Sequence, residues 1–277
     1  MLHGYYTPQT VDNLIAFAFT VLLLLLDRMS SYQDVQLQLS AAPGIWTLKY
    51  WEDRWKNAQT TWHETSGNDL MWENFDRLVE TNFPGVDKAS LKVFVPLCGK
   101  TYDMYRLYKE GYTVVGVEFA SQPIGEFFSE NSIEVNSEVS APYTASRDGR
   151  MTIGQGDLFT FGVDESAEHK LPHHRYDIIW DRASFESVNV EETSKYPQLM
   201  LSIVASNFLY LIDVNHYDTS LFGGPPLSVS QQDLEESFSP YCDIQLVASI
   251  DMSDGPLSKF RGLTYVTESL YTMVRKS

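Results

Sequence analysis

The sequence contains little cysteine and few basic residues. Only two cysteines occur in 277 residues, Cys98 and Cys242, and neither belongs to a closely spaced pair of the kind that holds a metal or forms a redox motif. Lys and Arg number 20 against 37 Asp and Glu, which gives a formal net charge of −17 at pH 7. Such a surface repels phosphate backbones and anionic lipid headgroups. We therefore expect no metal centre, no nucleic-acid partner and no membrane association of the core domain.

Apolar runs long enough to cross a membrane are also lacking. Residues 14–26 (LIAFAFTVLLLLL) are apolar except for Thr20, but they fall short of the roughly 20 residues that a membrane helix needs. A signal peptide is disfavoured because no Lys or Arg precedes this run and no small-residue cleavage site closely follows it. We interpret residues 1–45 as an extension outside the core, with Met29 as a hypothetical start of the working protein. Residues 46–277 are enough for one α/β domain.

Short apolar runs alternate with helix-compatible stretches from residue 92 onward. Strands that alternate with helices indicate a doubly wound, mostly parallel α/β sheet. The candidate strands lie at residues 92–97, 113–118, 176–180 and 208–214, and candidate helices lie at residues 102–110 and 192–206.

The last two strand candidates follow a different pattern. Residues 244–250 and 262–274 are separated by only a Gly-, Pro- and Ser-bearing loop, so we expect an antiparallel C-terminal pair. The polar segment at residues 137–150 is predicted to be a surface loop.

A single glycine occupies the turn after the first predicted strand, in residues 93–100 (VFVPLCGK). Ligands of open α/β sheets lie beyond the carboxyl ends of the strands, and a glycine there lets a ligand approach the backbone. Glu118 ends the second predicted strand about twenty residues on, a spacing at which a carboxylate can accept hydrogen bonds from both ribose hydroxyls. The pair indicates an adenosine-type ligand. A glycine turn beside an unrelated carboxylate is the alternative.

Two other nucleotide-binding motifs are absent from this turn. Gly99-Lys100-Thr101 imitates the end of a phosphate-binding P-loop, but that motif needs a glycine five positions before Gly99, where Phe94 stands. The dinucleotide fingerprint GxGxxG fails as well, because the turn holds only one glycine. Nucleoside triphosphates and nicotinamide cofactors are therefore disfavoured.

Aromatic residues are concentrated before the predicted sheet. Five of the six tryptophans lie between residues 46 and 72, and Trp51 and Trp55 share one helical face. This pattern fits either a helix docked on a core or an aromatic lid over a ligand. Asp181-Arg182 ends the apolar run at residues 176–180, and from spacing alone it is either a structural ion pair or part of a site.

An ordered set of motifs resembles the thiopurine S-methyltransferase family from about residue 46 to residue 276. The resemblance implies a Rossmann-like class I methyltransferase, with a seven-stranded sheet, helices on both sides and an N-terminal helical lid. It also implies that S-adenosyl-L-methionine is the methyl donor and that a thiol is the acceptor. The motifs are WEDRW at residues 51–55, WH at 62–63, VPLCGK at 95–100, VGVE at 115–118, IWDR at 179–182 and GPP at 224–226.

The resemblance also implies roles for single residues around the cofactor. Trp51 and Trp55 are placed in the lid over the cofactor, and Trp62 against the adenine and the substrate. Leu97 and Gly99 are placed along the cofactor cleft.

Three further positions complete the implied site. Glu118 is placed on the ribose, while Gly156 and Asp157 follow the edge strand at residues 151–155 and match an adenine-contacting turn. Arg182 corresponds to an arginine beside cofactor and substrate and is the predicted catalytic residue. An arginine stays protonated and favours a neighbouring thiolate.

The resemblance implies a cytoplasmic monomer that methylates small aromatic or heterocyclic thiols. Thiocyanate, halide, sulfide or aliphatic thiols are the alternative acceptors, and a non-catalytic adenosyl-binding module is a second alternative. Leu257 stands where members of the family use a second substrate arginine, with Lys259 and Arg261 as candidate replacements. His63 is left open between binding the cofactor carboxylate and capping local structure.

Overall fold

The computed structural model describes residues 46–276, so the apolar run at residues 14–26 lies outside the described residues. Within that range the α-helices are α1 (Leu48–Lys56), α2 (Asp69–Asn82), α3 (Tyr102–Lys109), α4 (Ser121–Glu130), α5 (Lys195–Ile203), α6 (Gln231–Phe238) and α7 (Pro256–Arg261). The strands are β1 (Lys92–Val95), β2 (Thr113–Glu118), β3 (Tyr143–Ala145), β4 (Met151–Gln155), β5 (Phe161–Gly162), β6 (His169–Lys170), β7 (Tyr176–Arg182), β8 (Val204–Tyr217), β9 (Cys242–Asp251) and β10 (Val266–Arg275).

The main sheet has the order β3-β4-β2-β1-β7-β8-β10-β9. The five neighbouring strands β4, β2, β1, β7 and β8 run parallel to one another, whereas β10 pairs antiparallel with both β8 and β9. The predicted doubly wound sheet with an antiparallel C-terminal pair is therefore confirmed, and all seven predicted strands are present.

The sheet also contains an eighth strand that the sequence did not indicate. β3 lies inside the segment that was predicted to be a loop, at residues 137–150, and it pairs antiparallel with β4. A strand of three residues is too short to show alternation of apolar and polar side chains. We expected β4 to be the edge strand, but this pairing places β3 at the edge instead.

The C-terminal boundaries also differ from those predicted. Residues 256–261 form α7, and Gly262 ends this helix with a left-handed φ of 65°. The last strand therefore begins at Val266 rather than at residue 262.

Alternate residues of the central strands pack into two separate cores. Val93 and Val95 lie in the core that α2, α3 and α4 cover, while Phe94 between them lies in the core under α5 and α6. Successive side chains of a strand point to opposite faces, so an uninterrupted apolar strand serves both cores. In the described part of the chain, no helix has both the length and the apolar character needed for a membrane crossing.

Candidate active site

The carboxyl ends of the parallel strands lie along one edge of the sheet. The chain passes from β1 outward to β2 and β4, and later returns to place β7 and β8 on the other side of β1. Such a reversal point is where open α/β sheets bind ligands. The turn after β1 contains Leu97 and Gly99, and β2 ends at Glu118. On the other side, β7 ends at Arg182. We refer to these two sides as the β1–β2 half and the β7–β8 half.

Glu118 is the buried acid of the β1–β2 half, with only 7% of the residue exposed. Its Oε2 accepts a hydrogen bond from the Gly99 backbone N–H at 3.0 Å, and its Oε1 accepts one from the Ala120 N–H at 2.7 Å. Burial raises the pKa of Glu118 to about 7, and the backbone N–H donors only partly oppose this shift. A carboxylate offers about four lone-pair positions, so two stay available for ribose hydroxyls.

The turn after β1 has a strained backbone that brings it close to the aromatic segment. Leu97 and Gly99 have φ values of 41° and 50°, in the left-handed region. A Cβ on Gly99 would lie only 3.0 Å from Cζ2 of Trp55. Gly99 is therefore required both by the backbone conformation and by the tryptophan ring above it.

Trp51, Trp55 and Trp62 form one cluster, which we call the aromatic lid. The Trp62 ring packs edge-on against Trp51 and Trp55, with ring centroids 5.5 Å and 6.1 Å apart. Edge-to-face packing is a favourable arrangement of aromatic rings. Trp55 is 6% exposed and lies against the Gly99 turn. The helix expected from the tryptophan spacing is present as α1, and its aromatic face covers the candidate site.

Gly156 and Asp157 lie beside the end of β2. The Gly156 N–H donates to the Glu118 carbonyl oxygen at 3.0 Å, which places this turn next to the buried carboxylate. Asp157 caps the 3₁₀ turn Leu158–Thr160, because its Oδ1 accepts from the Phe159 N–H at 3.0 Å. Local capping occupies part of the Asp157 carboxylate, so its contact with adenine stays a prediction.

Asp181 and Arg182 bond to different parts of the protein rather than to each other. Asp181 is fully buried and accepts hydrogen bonds from the hydroxyls of Tyr196 and Tyr210, both at 2.7 Å. Arg182 Nη1 donates to the Trp62 carbonyl oxygen at 2.9 Å, and Arg182 Nη2 pairs with Glu64 at 2.5 Å. Neighbouring strand residues point to opposite faces, which explains this separation. Arg182 therefore ties the lid segment to β7.

The β7–β8 half also contains carboxyl groups that the sequence analysis missed. The Asn68 side-chain amide donates to Oδ2 of Asp213 and, at 3.0 Å, to Oε1 of Glu268. Burial lowers the pKa of Arg182, but the charges of Glu64, Asp213 and Glu268 outweigh burial and raise it. An acid inside the apolar run at residues 208–214 was the available sequence signal for Asp213.

His63 lies beside the lid, with its ring centroid 6.0 Å from that of Trp55. Burial, followed by the positive charge of Lys100, lowers the pKa of His63. A less basic imidazole is neutral over more of the physiological range. In residues 46–276 no group of three or more His, Cys, Asp or Glu side chains fits a metal ion.

The candidate replacements for a second substrate arginine lie on α7. The Arg261 guanidinium stacks over the Phe222 ring at 4.5 Å, whereas Lys259 is exposed. Leu257 packs against a small apolar cluster at the same end of the sheet. Neither basic residue is assigned to the substrate by these contacts.

Comparison with known proteins places this chain in a family. The model of the family described as thiopurine S-methyltransferase matches residues 46–276. A probable thiopurine S-methyltransferase of Danio rerio is 34% identical over 243 residues, which cover 85% of this chain and 98% of that protein. The thiopurine S-methyltransferase of Equus caballus is 28% identical over 248 residues, which cover 90% of this chain and 96% of that protein.

Solved structures share the fold at low sequence identity. A SAM-dependent methyltransferase from Anabaena variabilis has a TM-score of 0.51 at 12% identity and covers 85% of this chain and 98% of its own. Magnesium protoporphyrin IX methyltransferase from Synechocystis, with bound SAM, has a TM-score of 0.51 at 13% identity and covers 85% of this chain and 100% of its own. From the family match and the shared fold, the chain belongs to the thiopurine S-methyltransferase family, a family of S-adenosylmethionine-dependent methyltransferases.

Proposed function

We propose that this protein transfers the methyl group of S-adenosylmethionine to the sulfur of small aromatic or heterocyclic thiols, as a cytoplasmic monomer. The observation that carries the proposal is the buried Glu118 carboxylate, which is held by the Gly99 and Ala120 N–H groups at the reversal point of the sheet. Two of its lone-pair positions can accept the ribose hydroxyls. The names of the relatives support a thiol acceptor.

The proposed cofactor contacts involve both strand ends and the lid. Glu118 holds the ribose, and Asp157 with Gly156 contacts the adenine. Leu97 and Gly99 line the cleft, because the left-handed turn brings its backbone towards a ligand. Trp51, Trp55 and Trp62 cover the cofactor, and Arg182 lies at the border with the acceptor.

The proposed catalytic contribution of the protein is alignment. S-adenosylmethionine supplies a methyl group activated by its sulfonium. Correct orientation of two bound reactants can contribute roughly 7 to 11 kcal/mol to lowering the barrier. Arg182, the proposed catalytic residue, contacts the acceptor together with Trp62 and fixes the lid through the Trp62 carbonyl. A closed aromatic lid excludes water from the reacting groups.

Two measurements test this function in sequence. Calorimetry with S-adenosylhomocysteine tests the cofactor site, and no binding at millimolar ligand would contradict the adenosyl-binding function. Methylated products are then measured for 6-mercaptopurine, thiocyanate, sulfide and iodide with S-adenosylmethionine. We expect turnover of 6-mercaptopurine, whereas product from only the inorganic acceptors would show that the proposed acceptor class is wrong. Binding without any methylated product would instead indicate a non-catalytic module.

A further inference from the structure

The β7–β8 half contains more acidic than basic groups, although Arg182 lies in it. Glu64 pairs with Arg182 at 2.5 Å and so neutralises the guanidinium. Asp213 and Glu268 also lie near Arg182 and raise its pKa. Among residues 46–276, neither of these two carboxyl groups has a basic side chain within ion-pair distance; their shared hydrogen-bond donor is the neutral amide of Asn68. Burial and the neighbouring Glu268 carboxylate raise the pKa of Asp213 well above its usual range, so Asp213 is protonated while no cation is bound. Because Glu64 balances Arg182, the remaining negative charge of this group is that of Glu268.

Asp213 is the innermost of these acids and lacks one hydrogen-bond donor. Only 2% of the residue is exposed. Its Oδ2 accepts from Asn68, but its Oδ1 is buried without a hydrogen-bond partner. Leaving a buried acceptor unsatisfied costs free energy, and few such atoms occur in native proteins. A missing donor is thus the feature that needs an explanation.

The position of Asp213 connects this missing donor to the proposed acceptor site. Asp213 pairs with Arg182 in the parallel register of β7 and β8, so it lies on the neighbouring strand beside the last residue of β7. The Glu64 side chain is 45% exposed and Glu268 is partly buried. The three carboxyl groups therefore extend from solvent at Glu64 to the buried oxygen of Asp213.

We propose that Asp213, Glu268 and Glu64 form a subsite for a positively charged nitrogen on the methyl acceptor. The preferred substrates are then thiols that also carry an ammonium or another protonated nitrogen. An N–H of this group donates to Oδ1 of Asp213, and its charge balances the excess of carboxylates. The inference rests on the proposed thiol methylation and adds the charge of the acceptor to it.

The alternative explanation is a purely structural network. In that case Asp213 and Glu268 share a proton and recognise nothing, and the charge of the substrate has no consistent effect. A charged acceptor distinguishes the two, because opposite charges attract strongly at a partly buried site and like charges repel. A cationic thiol is favoured only if the carboxyl groups face it.

Three thiols of similar size test the subsite on the wild-type protein. They are 4-(aminomethyl)benzenethiol, 4-ethylbenzenethiol and (4-mercaptophenyl)acetate, which are cationic, neutral and anionic away from the sulfur. We expect kcat/KM to fall in that order, with the cation preferred over the anion by roughly tenfold or more. Equal values, or preference for the anion, would overturn the subsite.

Variants then locate the preference. We expect Asp213→Asn and Glu268→Gln each to lower the cation-to-anion ratio by about tenfold. Glu236→Gln removes the same charge from the exposed face of α6 and leaves the ratio unchanged. Glu268→Gln, at a partly buried position, keeps the test valid if Asp213→Asn does not fold. An unchanged ratio in the folded variants would contradict the assignment.

The same compounds separate failure of the subsite from failure of the proposed function. If none of the three is methylated, thiol methylation is the proposal that fails. Calorimetry of the three compounds in the presence of S-adenosylhomocysteine then decides the subsite. Selective binding of the cation supports it, whereas equal binding, preference for the anion or no binding overturns it.

Discussion

The backbone N–H of Gly99 donates to the Glu118 carboxylate at 3.0 Å, and this bond connects the turn after β1 to the end of β2. Gly99 has a left-handed φ of 50° in this turn. The same carboxylate is proposed to hold the ribose, so the shape of the turn and the binding of the cofactor depend on one side chain.

Replacement of this carboxylate is expected to weaken cofactor binding. Glu118→Gln removes the charge that strengthens hydrogen bonds from the ribose hydroxyls, so we expect S-adenosylhomocysteine to bind about 1.5 to 3 kcal/mol more weakly. Glu134→Gln is the matched control, because Glu134 is exposed and pairs with Arg147. Calorimetry measures both variants. An affinity in Glu118→Gln equal to that of the control would show that the ribose lies elsewhere.

The raised pKa of Glu118 predicts a pH dependence of this affinity. In the free protein Glu118 is mostly protonated below pH 7 and ionised above it. Ribose hydroxyls donate to the ionised form, so the affinity should increase by about tenfold from pH 6 to pH 8 and level off above. Calorimetry in two buffers of different ionisation enthalpy should also detect proton release on binding at pH 6. Glu118→Gln should abolish both effects, and an affinity that decreases over this range would contradict the assignment.

The proximity of Gly99 and Glu118 in the folded protein could be predicted, because parallel pairing of neighbouring strands brings their carboxyl ends together. The β7–β8 half could not be predicted in the same way. Asn68 lies 145 positions from Asp213 and 200 positions from Glu268, and only the folded sheet brings the three side chains together. No periodic pattern or local motif encodes such a contact.

The Asp181-Arg182 pair shows a further limit of sequence reasoning. The resemblance to the family predicts Arg182 as a site residue, but its partner Glu64 comes from the segment between α1 and α2. The position of that segment depends on tertiary packing, which the tryptophan spacing does not specify.

Gly99→Ala tests the contact between the turn and the lid. The new Cβ would lie 3.0 Å from the Trp55 ring, and the alanine backbone would have to keep the left-handed φ of Gly99. Gly85→Ala is the matched control, since Gly85 has a φ of 69° with nothing near its would-be Cβ. Both should lose about 1 to 2 kcal/mol of unfolding free energy from the backbone. Gly99→Ala should lose more unfolding free energy than the control, because its Cβ also clashes with Trp55. Adding Trp55→Phe should recover part of this additional loss, and denaturant unfolding of the single and double variants measures it.

Arg182→Lys tests whether a charge alone is sufficient at the end of β7. Lysine lacks the planar fork with which Arg182 bonds both the Trp62 carbonyl and Glu64. We expect kcat to decrease about 100-fold, as for a small misplacement of reacting groups, while the unfolding free energy changes little. Arg77→Lys on the exposed side of α2 is the control. Wild-type kcat in Arg182→Lys would mean that Arg182 does not position the acceptor.

Asp103 links α2 to β7, because it accepts hydrogen bonds from two donors at the start of α2 and from one donor in β7. Its carboxylate receives the Asn68 backbone N–H at 2.9 Å, the Trp72 indole N–H at 2.8 Å and the Trp180 indole N–H at 3.0 Å. The residue is 1% exposed, so Asp103→Ala would leave these donors without a partner and without ready access to water.

Each unsatisfied buried donor costs about 1 to 3 kcal/mol, so we expect Asp103→Ala to lose about 3 kcal/mol or more of unfolding free energy. Asp76→Ala, at a side chain that is 75% exposed, should lose less than about 1 kcal/mol. Guanidinium unfolding followed by tryptophan fluorescence measures both variants. Equal losses would mean that Asp103 is not needed to hold α2 against β7. A large loss confined to Asp103→Ala would show that this carboxylate holds α2, which begins after Asn68, against β7.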